Sequence, residues 1–284
     1  MQIVSKEIKE LLALETAEKQ RVRPTFQSTF KGKVWDFITG SYIPILILIV
    51  WQLVGQFNVV SLIFLPTPTS ILQSFWDLLV ANKLTEHLAV SIGRACLGFV
   101  IGGALGLVFG GIVGLSRYLE YLLNPSFQLL RMTPTLAIAP LIILWFGFGE
   151  VSKVVIIAIA AFFPLYLQTF MGIRAVDHKL FEVTKVLGFN KMKLLYHLII
   201  PSAMPNILLG VRLSLGVSWL SLVVAELLGS QSGVGFLINL GKQNAVTEYI
   251  FVGIIIFAVF GKFVDSIVRI IEKKKLNWRD NFKG

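Results

Sequence analysis

The stretch from Gly235 to Lys242 has the residue types that come nearest to nucleotide chemistry in this 284-residue chain. Two glycines followed by a lysine are typical of a loop that holds phosphates. Five residues rather than four separate Gly235 from Gly241, however, and Gln243 stands where such a loop needs Ser or Thr. We therefore reject a nucleotide site at this stretch.

The other reactive side chains do not form the pattern of a catalytic or metal site. His87, His178 and His197 lack metal-ligand spacing, and Cys96 is the single cysteine of the sequence, so it has no partner for an intramolecular disulfide. No Gly-x-Ser-x-Gly motif is present. The sequence predicts a protein that is not an enzyme, with no catalytic residue, no metal and no cofactor of its own.

The composition places most of the chain in lipid. The residues are 55% apolar and the mean hydropathy is +0.77, well outside the range of soluble domains. Runs of roughly 17 to 25 apolar residues can cross a bilayer. We predict an all-α, polytopic membrane protein with six transmembrane helices, at Tyr42 to Phe57, Leu88 to Leu115, Leu119 to Phe146, Val154 to Ile173, Ala203 to Leu228 and Tyr249 to Ile271.

The third predicted span is the least regular of the six. Pro125, Pro134 and Pro140 interrupt it and Arg131 lies inside it. Proline kinks a membrane helix but is tolerated where neighbouring groups satisfy the freed carbonyls.

The net charge of +10 is a topology signal rather than a sign of nucleic-acid binding. With the N-terminus inside, nineteen Lys and Arg fall on inner segments, and the outer segments hold only Lys83, Lys153 and Lys242. This bias predicts that both termini are cytoplasmic. We divide the chain into a cytoplasmic head (1–41), a transmembrane domain (42–271) and a basic cytoplasmic tail (272–284).

Charged and polar side chains inside the spans are candidates for the transport pathway. Arg94 and Glu226 lie near the outer ends of two spans, so they could form an interhelical pair, and a direct contact of Arg94 with an anion is the alternative. Arg212 is roughly 21 Å from Glu226 along the same helix at 1.5 Å per residue, too far to pair. Ser218 and Trp219 belong to a polar and aromatic face of the fifth span, which suits cavity lining and helix packing equally. The full set of pathway candidates is Arg94, Arg212, Ser218, Trp219 and Glu226.

Glycines recur every four residues along the second span. They form one face, at Gly98, Gly102, Gly106, Gly110 and Gly114. In lipid such a face lets another helix backbone approach closely. The pattern predicts either packing within the chain or a subunit or pore-lining contact.

The most patterned polar segment, Asp177 to Ile200, lies between two apolar spans. Asp177 suits a helix N-cap, and Gly188 stands where a left-handed residue ends a helix. A second short helix is predicted from Asn190 to about Ile200, because Pro201 disfavours helix in the residue before it. We expect Leu180, Val183 and Leu187 to share one face, the four lysines Lys179, Lys185, Lys191 and Lys193 to face water, and a partner to receive Phe181, Phe189 and Met192.

This segment resembles a known motif. Glu182, Val183, Thr184, Gly188 and the run Leu198 to Pro201 are similar to the E-A-A-x-x-x-G-x9-I-x-L-P loop of the membrane subunits of ABC importers, with Val183 and Thr184 in place of two alanines. Leu198 and Ile200 replace the usual Ile and Leu. The resemblance extends over nearly the whole chain after residue 42, through Leu65-Pro66-Thr67-Pro68, Arg131-Met132-Thr133-Pro134, Leu144-Trp145-Phe146-Gly147, Gly172-Ile173-Arg174 and the stretch from Val224-Ala225-Glu226 to Gly233-Val234-Gly235.

Within that family the chain looks most like permeases for aliphatic sulfonates, whose near relatives carry taurine, nitrate, bicarbonate or thiamine precursors. The resemblance implies a type I ABC importer fold and a multi-pass location in the bacterial cytoplasmic membrane. It also implies a homodimer, an extracellular or periplasmic solute-binding protein and two cytoplasmic ATP-binding cassette subunits, which bind ATP and Mg. By similarity, the residues that couple the chain to those subunits are Asp177, Phe181, Glu182, Val183, Thr184, Gly188, Phe189 and Pro201.

An ion-coupled secondary transporter is the alternative from another class. That class predicts an inverted repeat and ionisable residues at the membrane midplane. We find neither in the sequence.

Overall fold

The computed structural model describes residues 30–275, and every regular element in that range is a helix. The first 29 residues of the predicted head and the last nine of the predicted tail lie outside the described part. Residues 1–57 and 58–284 form two separate units. The helices are α1 (Phe30–Gln56), α2 (Pro68–Val80), α3 (Lys83–Leu115), α4 (Arg117–Met132), α5 (Thr135–Phe146), α6 (Glu150–Arg174), α7 (His178–Val186), α8 (Lys191–Leu194), α9 (Ile200–Leu227), α10 (Val234–Gln243) and α11 (Thr247–Lys275).

Four continuous helices of the described range are long and apolar enough to cross a membrane. They match the predicted second, fourth, fifth and sixth spans, and they are α3, α6, the continuous helix Lys191–Leu227 and the Thr247–Glu272 part of α11. In α1 the apolar part, Tyr42–Gln56, is shorter than these four. The boundaries drawn at 41/42 and 271/272 fall inside α1 and α11, so neither marks the end of a helix.

The predicted third span is broken into two helices. α4 and α5 meet at about 102°, and Thr133 between them is extended, with φ −75° and ψ 121°. Pro134 follows directly, and a residue before proline is driven out of the helical region. Pro125 and Pro140 remain inside their helices. If the broken pair is one span, the described residues hold five, and the sixth span and the inward orientation of the termini stay predictions.

The glycine face of α3 packs against α6. A Cβ at Gly98 would lie 2.5 Å from Ile157 Cγ2, and one at Gly106 would lie 2.5 Å from the carbonyl oxygen of Phe162. Only the absence of side chains allows the two backbones to approach this closely. Of the two alternatives left open by the spacing, the structure shows packing within the chain.

Side chains of both halves of the broken span contact α6. α4 runs antiparallel to α6, because Glu120 pairs with Arg174 at one end and Phe127 packs against Phe162 further along, with ring centroids 5.5 Å apart. α5 covers the other half of α6, where its buried residues join a core formed by Ala139, Ile142, Ile156 and Ala225. The break between α4 and α5 therefore lies beside the middle of α6.

Candidate functional site

The Asp177–Ile200 segment begins as predicted. The Asp177 carboxylate accepts a hydrogen bond from the Lys179 N–H at 2.9 Å and caps α7. Gly188 is left-handed, with φ +66°, and the N–H of Phe189 donates to the Thr184 carbonyl at 3.0 Å. This is a Schellman turn, in which the orphan carbonyls of the last turn are satisfied. The predicted N-cap and glycine turn are confirmed.

The second helix does not end near Ile200, and that prediction was wrong. Asn190 caps α8 by accepting from the Lys193 N–H at 2.8 Å, and the helix then continues through a π-helical turn, Leu195–Ile199, into α9. Proline disrupts a helix because it lacks an N–H and clashes with the carbonyl four residues earlier. The Ile200 N–H donates to Leu195, five residues back, and we attribute the tolerance of Pro201 to this wider turn. The second half of the Asp177–Ile200 segment is thus continuous with a membrane-spanning helix.

The exposed surface of the Asp177–Ile200 segment includes most of the side chains predicted to face water or a partner. All four lysines are exposed as expected, but Phe181 and Phe189 are half-buried beside the rings of His178 and His197. Met192 is exposed, as are the residues of the predicted apolar face. Thr184 is the buried residue of this helix. The unpartnered apolar surface, which we call the α7 groove, is formed by Val183, Val186 and Leu187 beside Lys179 and Glu182.

At the opposite end of α6, Arg94 is held by two acids. Its Nη1 donates to Glu226 at 2.7 Å, which confirms the predicted interhelical pair. Its Nε and Nη2 donate to the two carboxylate oxygens of Glu150 at 2.6 and 2.5 Å. Sequence reasoning missed Glu150 because it placed the start of the fourth span at Val154, whereas α6 begins four residues earlier. The sequence did contain a signal for this earlier start, because an acidic residue such as Glu150 is favoured in the first turn of a helix.

The serines of the loop between α9 and α10 complete the surroundings of Arg94. Nη1 also donates to the Ser232 carbonyl at 2.7 Å and to Ser230 Oγ at 3.1 Å, and Nη2 donates to Ser232 Oγ at 2.9 Å. A guanidinium has five N–H donors, and these contacts occupy every nitrogen. The geometry is that of a structural anchor, with no donor left over for a transported anion.

Glu226 is fully buried and is the centre of this network. Its carboxylate also accepts from Ser91 Oγ at 2.8 Å and from the Gly235 N–H at 2.7 Å. A Cβ on Gly235 would lie 2.5 Å from Glu226 Cβ, and one on Gly233 would meet the carboxylate. The Gly-Val-Gly motif is therefore required by the close approach of this loop to a buried acid. The network ties together α3, α6, α9 and the start of α10.

The other pathway candidates lie apart from this network. Ser218 donates to the carbonyl of Ser214 one turn earlier, and the Trp219 indole N–H donates to the Phe257 carbonyl at 2.9 Å. Both side chains are buried, and Trp219 also lines a cavity of about 180 Å³ between α9 and α11 together with Arg212. The two alternatives for this face, cavity lining and helix packing, are therefore both met at Trp219. Arg212 pairs with Asp265 of α11 at 3.0 Å, an acid that also lies 4.0 Å from Lys262.

Residues 102–277 match the family of binding-protein-dependent transport system inner membrane components. The chain belongs to this family: it is a multi-pass permease subunit of an ABC transporter of the bacterial inner membrane, and not an enzyme.

Three relatives are similar to this chain over more than four fifths of its length. A Bacillus subtilis protein assigned to aliphatic sulfonates transport, the permease SsuC, is 51% identical over 252 residues, which cover 89% of this chain and 91% of the relative. The Escherichia coli SsuC permease is 41% identical, covering 84% of this chain and 90% of the relative. The Escherichia coli taurine transport system permease TauC is 31% identical, covering 82% and 86%.

Solved structures support the fold. An amino acid ABC transporter with histidines matches with a TM-score of 0.56 and 20% identity, covering 66% of this chain and 92% of that chain. The inward-facing MetNI methionine ABC transporter matches with a TM-score of 0.51 and 16% identity, covering 69% and 96%. At these identities the likeness concerns the fold alone, and it agrees with the predicted all-helical, type I ABC importer architecture.

Proposed function

We propose that this chain forms, as a homodimer, the translocation pathway of an ATP-driven importer for aliphatic sulfonates. Two ATP-binding cassette subunits, which bind ATP and Mg, and an external solute-binding protein complete the transporter. The observation that supports this choice of substrate is the 51% identity, over 89% of the chain, to a permease assigned to aliphatic sulfonates transport. Taurine, itself an aminosulfonate, is the second candidate, because a taurine permease is 31% identical over 82% of the chain.

The α7 groove is the surface that we assign to the ATP-binding cassette subunits. Val186 is 89% exposed and Leu187 is 64% exposed, on a helix whose charged neighbours favour water over lipid. Apolar side chains in such a place suit burial by a protein partner. Both ends of α7 are capped, so it can act as a rigid unit.

The continuity of α8 with α9 supports a mechanical role for the segment. A partner that binds two states of this segment differently shifts the equilibrium between them. Since the helix runs unbroken from Lys191 to Leu227, a displacement at the docking surface reaches α9 without an intervening loop. ATP-driven closure of the partner subunits would in this way switch the opening of the pathway.

Reconstituted vesicles test the substrate. Vesicles that contain the chain, its two ATPase subunits and its binding protein are expected to take up labelled ethanesulfonate when ATP is supplied to the ATPase subunits. They should not do so when ADP is supplied instead. Unlabelled alkanesulfonates should compete, and nitrate should not. Uptake that depends on an ion gradient and not on ATP would contradict the proposal. Preference for taurine over alkanesulfonates would support the second candidate.

A substitution in the α7 groove tests the docking surface. Val186→Asp should abolish co-purification of the ATPase subunits while the chain itself remains folded, because its exposed side chain contributes little to the chain's own packing. Val186→Leu keeps the apolar contact and should behave like the wild type. Retention of the ATPase subunits by Val186→Asp would rule this surface out.

A further inference from the structure

A small cavity lies at the break between α4 and α5. Its volume is about 150 Å³. One wall is polar and comes from the break itself, and the facing wall is largely apolar and comes from α6 and α9. The residues that define these walls include Arg131, Thr133, Thr135, Ala160, Phe163 and Val217.

Arg131 lies at about half the depth of the helical bundle. It is on the face of α4 that also holds Glu120 and Phe127, which contact α6. Its neighbour across the cavity, Phe163, is roughly 20 Å from the Glu150 end of α6 and roughly 17 Å from the Arg174 end at 1.5 Å per residue. Arg131 is thus an ionisable residue close to the middle of the broken span.

The charge of Arg131 is unpaired among the described residues. Arg94, Arg174 and Arg212 each have an acid within ion-pair distance, and none of the ion pairs among the side chains that the structure describes involves Arg131. The Arg131 side chain is exposed in the described chain and borders the mouth of the cavity. An arginine at this depth of a membrane protein is costly in lipid and is found facing the interior of the bundle or a water-filled cavity. Its position in a cavity at a break in a span marks it as a group that meets a mobile anion.

The rest of the polar wall suits an anion as well. Thr133 and Thr135 bring hydroxyl donors to the cavity. α5 starts at this point, and Pro134 provides no side-chain cap for its first turn. The first N–H groups of a helix carry partial positive charge. In secondary transporters the N-termini of half-helices face anionic groups of the substrate, and the same partial charge is present at the start of α5.

We propose that this cavity binds the sulfonate group of the transported molecule midway through the pathway, with Arg131 as its cation and Thr133 and Thr135 as hydrogen-bond donors. The apolar wall, formed by Ala160, Phe163 and Val217, receives the alkyl chain. The ligand class rests on the proposed function, and the position of the site rests on the cavity. Arg131 takes the role that the sequence had offered to Arg94 and Arg212.

The test uses the complete transporter in vesicles, with ethanesulfonate as the probe. Uptake and the ATP hydrolysis stimulated by the loaded binding protein are measured together. Arg131→Gln should lower uptake about tenfold, the loss expected for one charge-assisted hydrogen bond, and leave the stimulated hydrolysis in place. Arg131→Lys should recover part of the uptake. Arg117→Gln, at the exposed start of the same helix, is the matched control and should transport normally.

The remaining outcomes distinguish a failure of the site from a failure of the proposed function. Normal uptake by Arg131→Gln overturns the site, and so does a joint loss of uptake and hydrolysis that Arg131→Lys fails to relieve, because that describes a structural role. If Arg131→Gln does not assemble, Thr133→Val decides, and full uptake by that variant overturns the site. Absence of sulfonate uptake in wild-type vesicles contradicts the proposed function instead. In that case the variants are assayed with whichever anion the wild type does transport. If the wild type transports only neutral solutes, the site is overturned too.

Discussion

Arg94 Nη1 and Glu226 Oε1 lie 2.7 Å apart between α3 and α9, in side chains that are 3% and 0% exposed. The two residues are 132 positions apart in the chain. Glu226 cannot keep its charge in this place without its donors, since an isolated buried carboxylate is strongly disfavoured. The pair therefore closes one end of the bundle and fixes the loop that leads into α10.

Removing one member of this pair should cost more than removing both. Arg94→Gln leaves Glu226 buried with a charge and no cation, a change that typically costs about 3–5 kcal/mol. We expect a large fall in the yield and thermal stability of the purified chain. The double variant Arg94→Gln with Glu226→Gln should recover part of the loss, because no buried charge remains. Size-exclusion profiles and thermal unfolding in detergent measure both.

Lys262→Gln is the control for this pair. Lys262 is 71% exposed and lies 4.0 Å from its acid, and exposed pairs contribute about 0–1 kcal/mol. Near-normal stability of Arg94→Gln, or a double variant less stable than both single ones, would contradict the structural assignment.

Gly233 should not tolerate a side chain. Its φ is +106°, which L-residues rarely adopt, and a Cβ would meet the Glu226 carboxylate. We expect Gly233→Ala to destabilise the chain by about 1–3 kcal/mol, read as a lower unfolding temperature. Gly216→Ala, in a helix and with no atom within 4 Å of the added Cβ, should be neutral. Equal effects of the two substitutions would show that the loop is not held as described.

Two glycines of α3 make a matched pair for helix packing. A Cβ at Gly106 would lie 2.5 Å from the Phe162 carbonyl oxygen, whereas one at Gly111 would meet nothing within 4 Å. Gly106→Ala must push α3 away from α6, at a cost of about 1–3 kcal/mol. Gly111→Ala should be neutral or stabilising. The same thermal-unfolding assay separates them, and a destabilised Gly111→Ala with a normal Gly106→Ala would reverse the assignment of the faces.

Gly188 tests the proposed coupling role of the Asp177–Ile200 segment through its backbone alone. A Cβ there would have no neighbour within 4 Å, but φ is +66°. Valine in this left-handed conformation costs about 1–2 kcal/mol, so Gly188→Val should move the turn between α7 and α8. We expect the chain to remain in the membrane while ATP hydrolysis loses its link to uptake. Gly188→Asn, which tolerates the conformation, should stay coupled, and full coupled transport by Gly188→Val would contradict the prediction.

Features with a local cause were predictable from the sequence. Asp177 and Gly188 act through atoms within five residues of themselves, so capping rules placed the ends of α7 correctly. The spacing of glycines by four likewise identified one face of α3. The positions of four spans followed from runs of apolar residues, whose length is set by the thickness of the bilayer.

Features that depend on neighbouring helices were not predictable in this way. Periodicity says which face of a helix is apolar but not which helix covers it. The ring contacts of Phe181 with His178 and of Phe189 with His197 could for that reason not be foreseen. Glu150 was missed because its helix starts earlier than the apolar run.

What the sequence by itself determined is the class of the chain, four of its spans and the capped helix at Asp177. The tertiary structure alone decided that Arg94 is saturated by Glu150, Glu226 and two serines, that the Asp177–Ile200 segment continues into α9, and that Arg131 borders a cavity at the break between α4 and α5. The physical reason is the range of the interactions. Caps and hydrophobic runs depend on adjacent residues, whereas ion pairs and cavities depend on contacts between helices that are far apart in the chain.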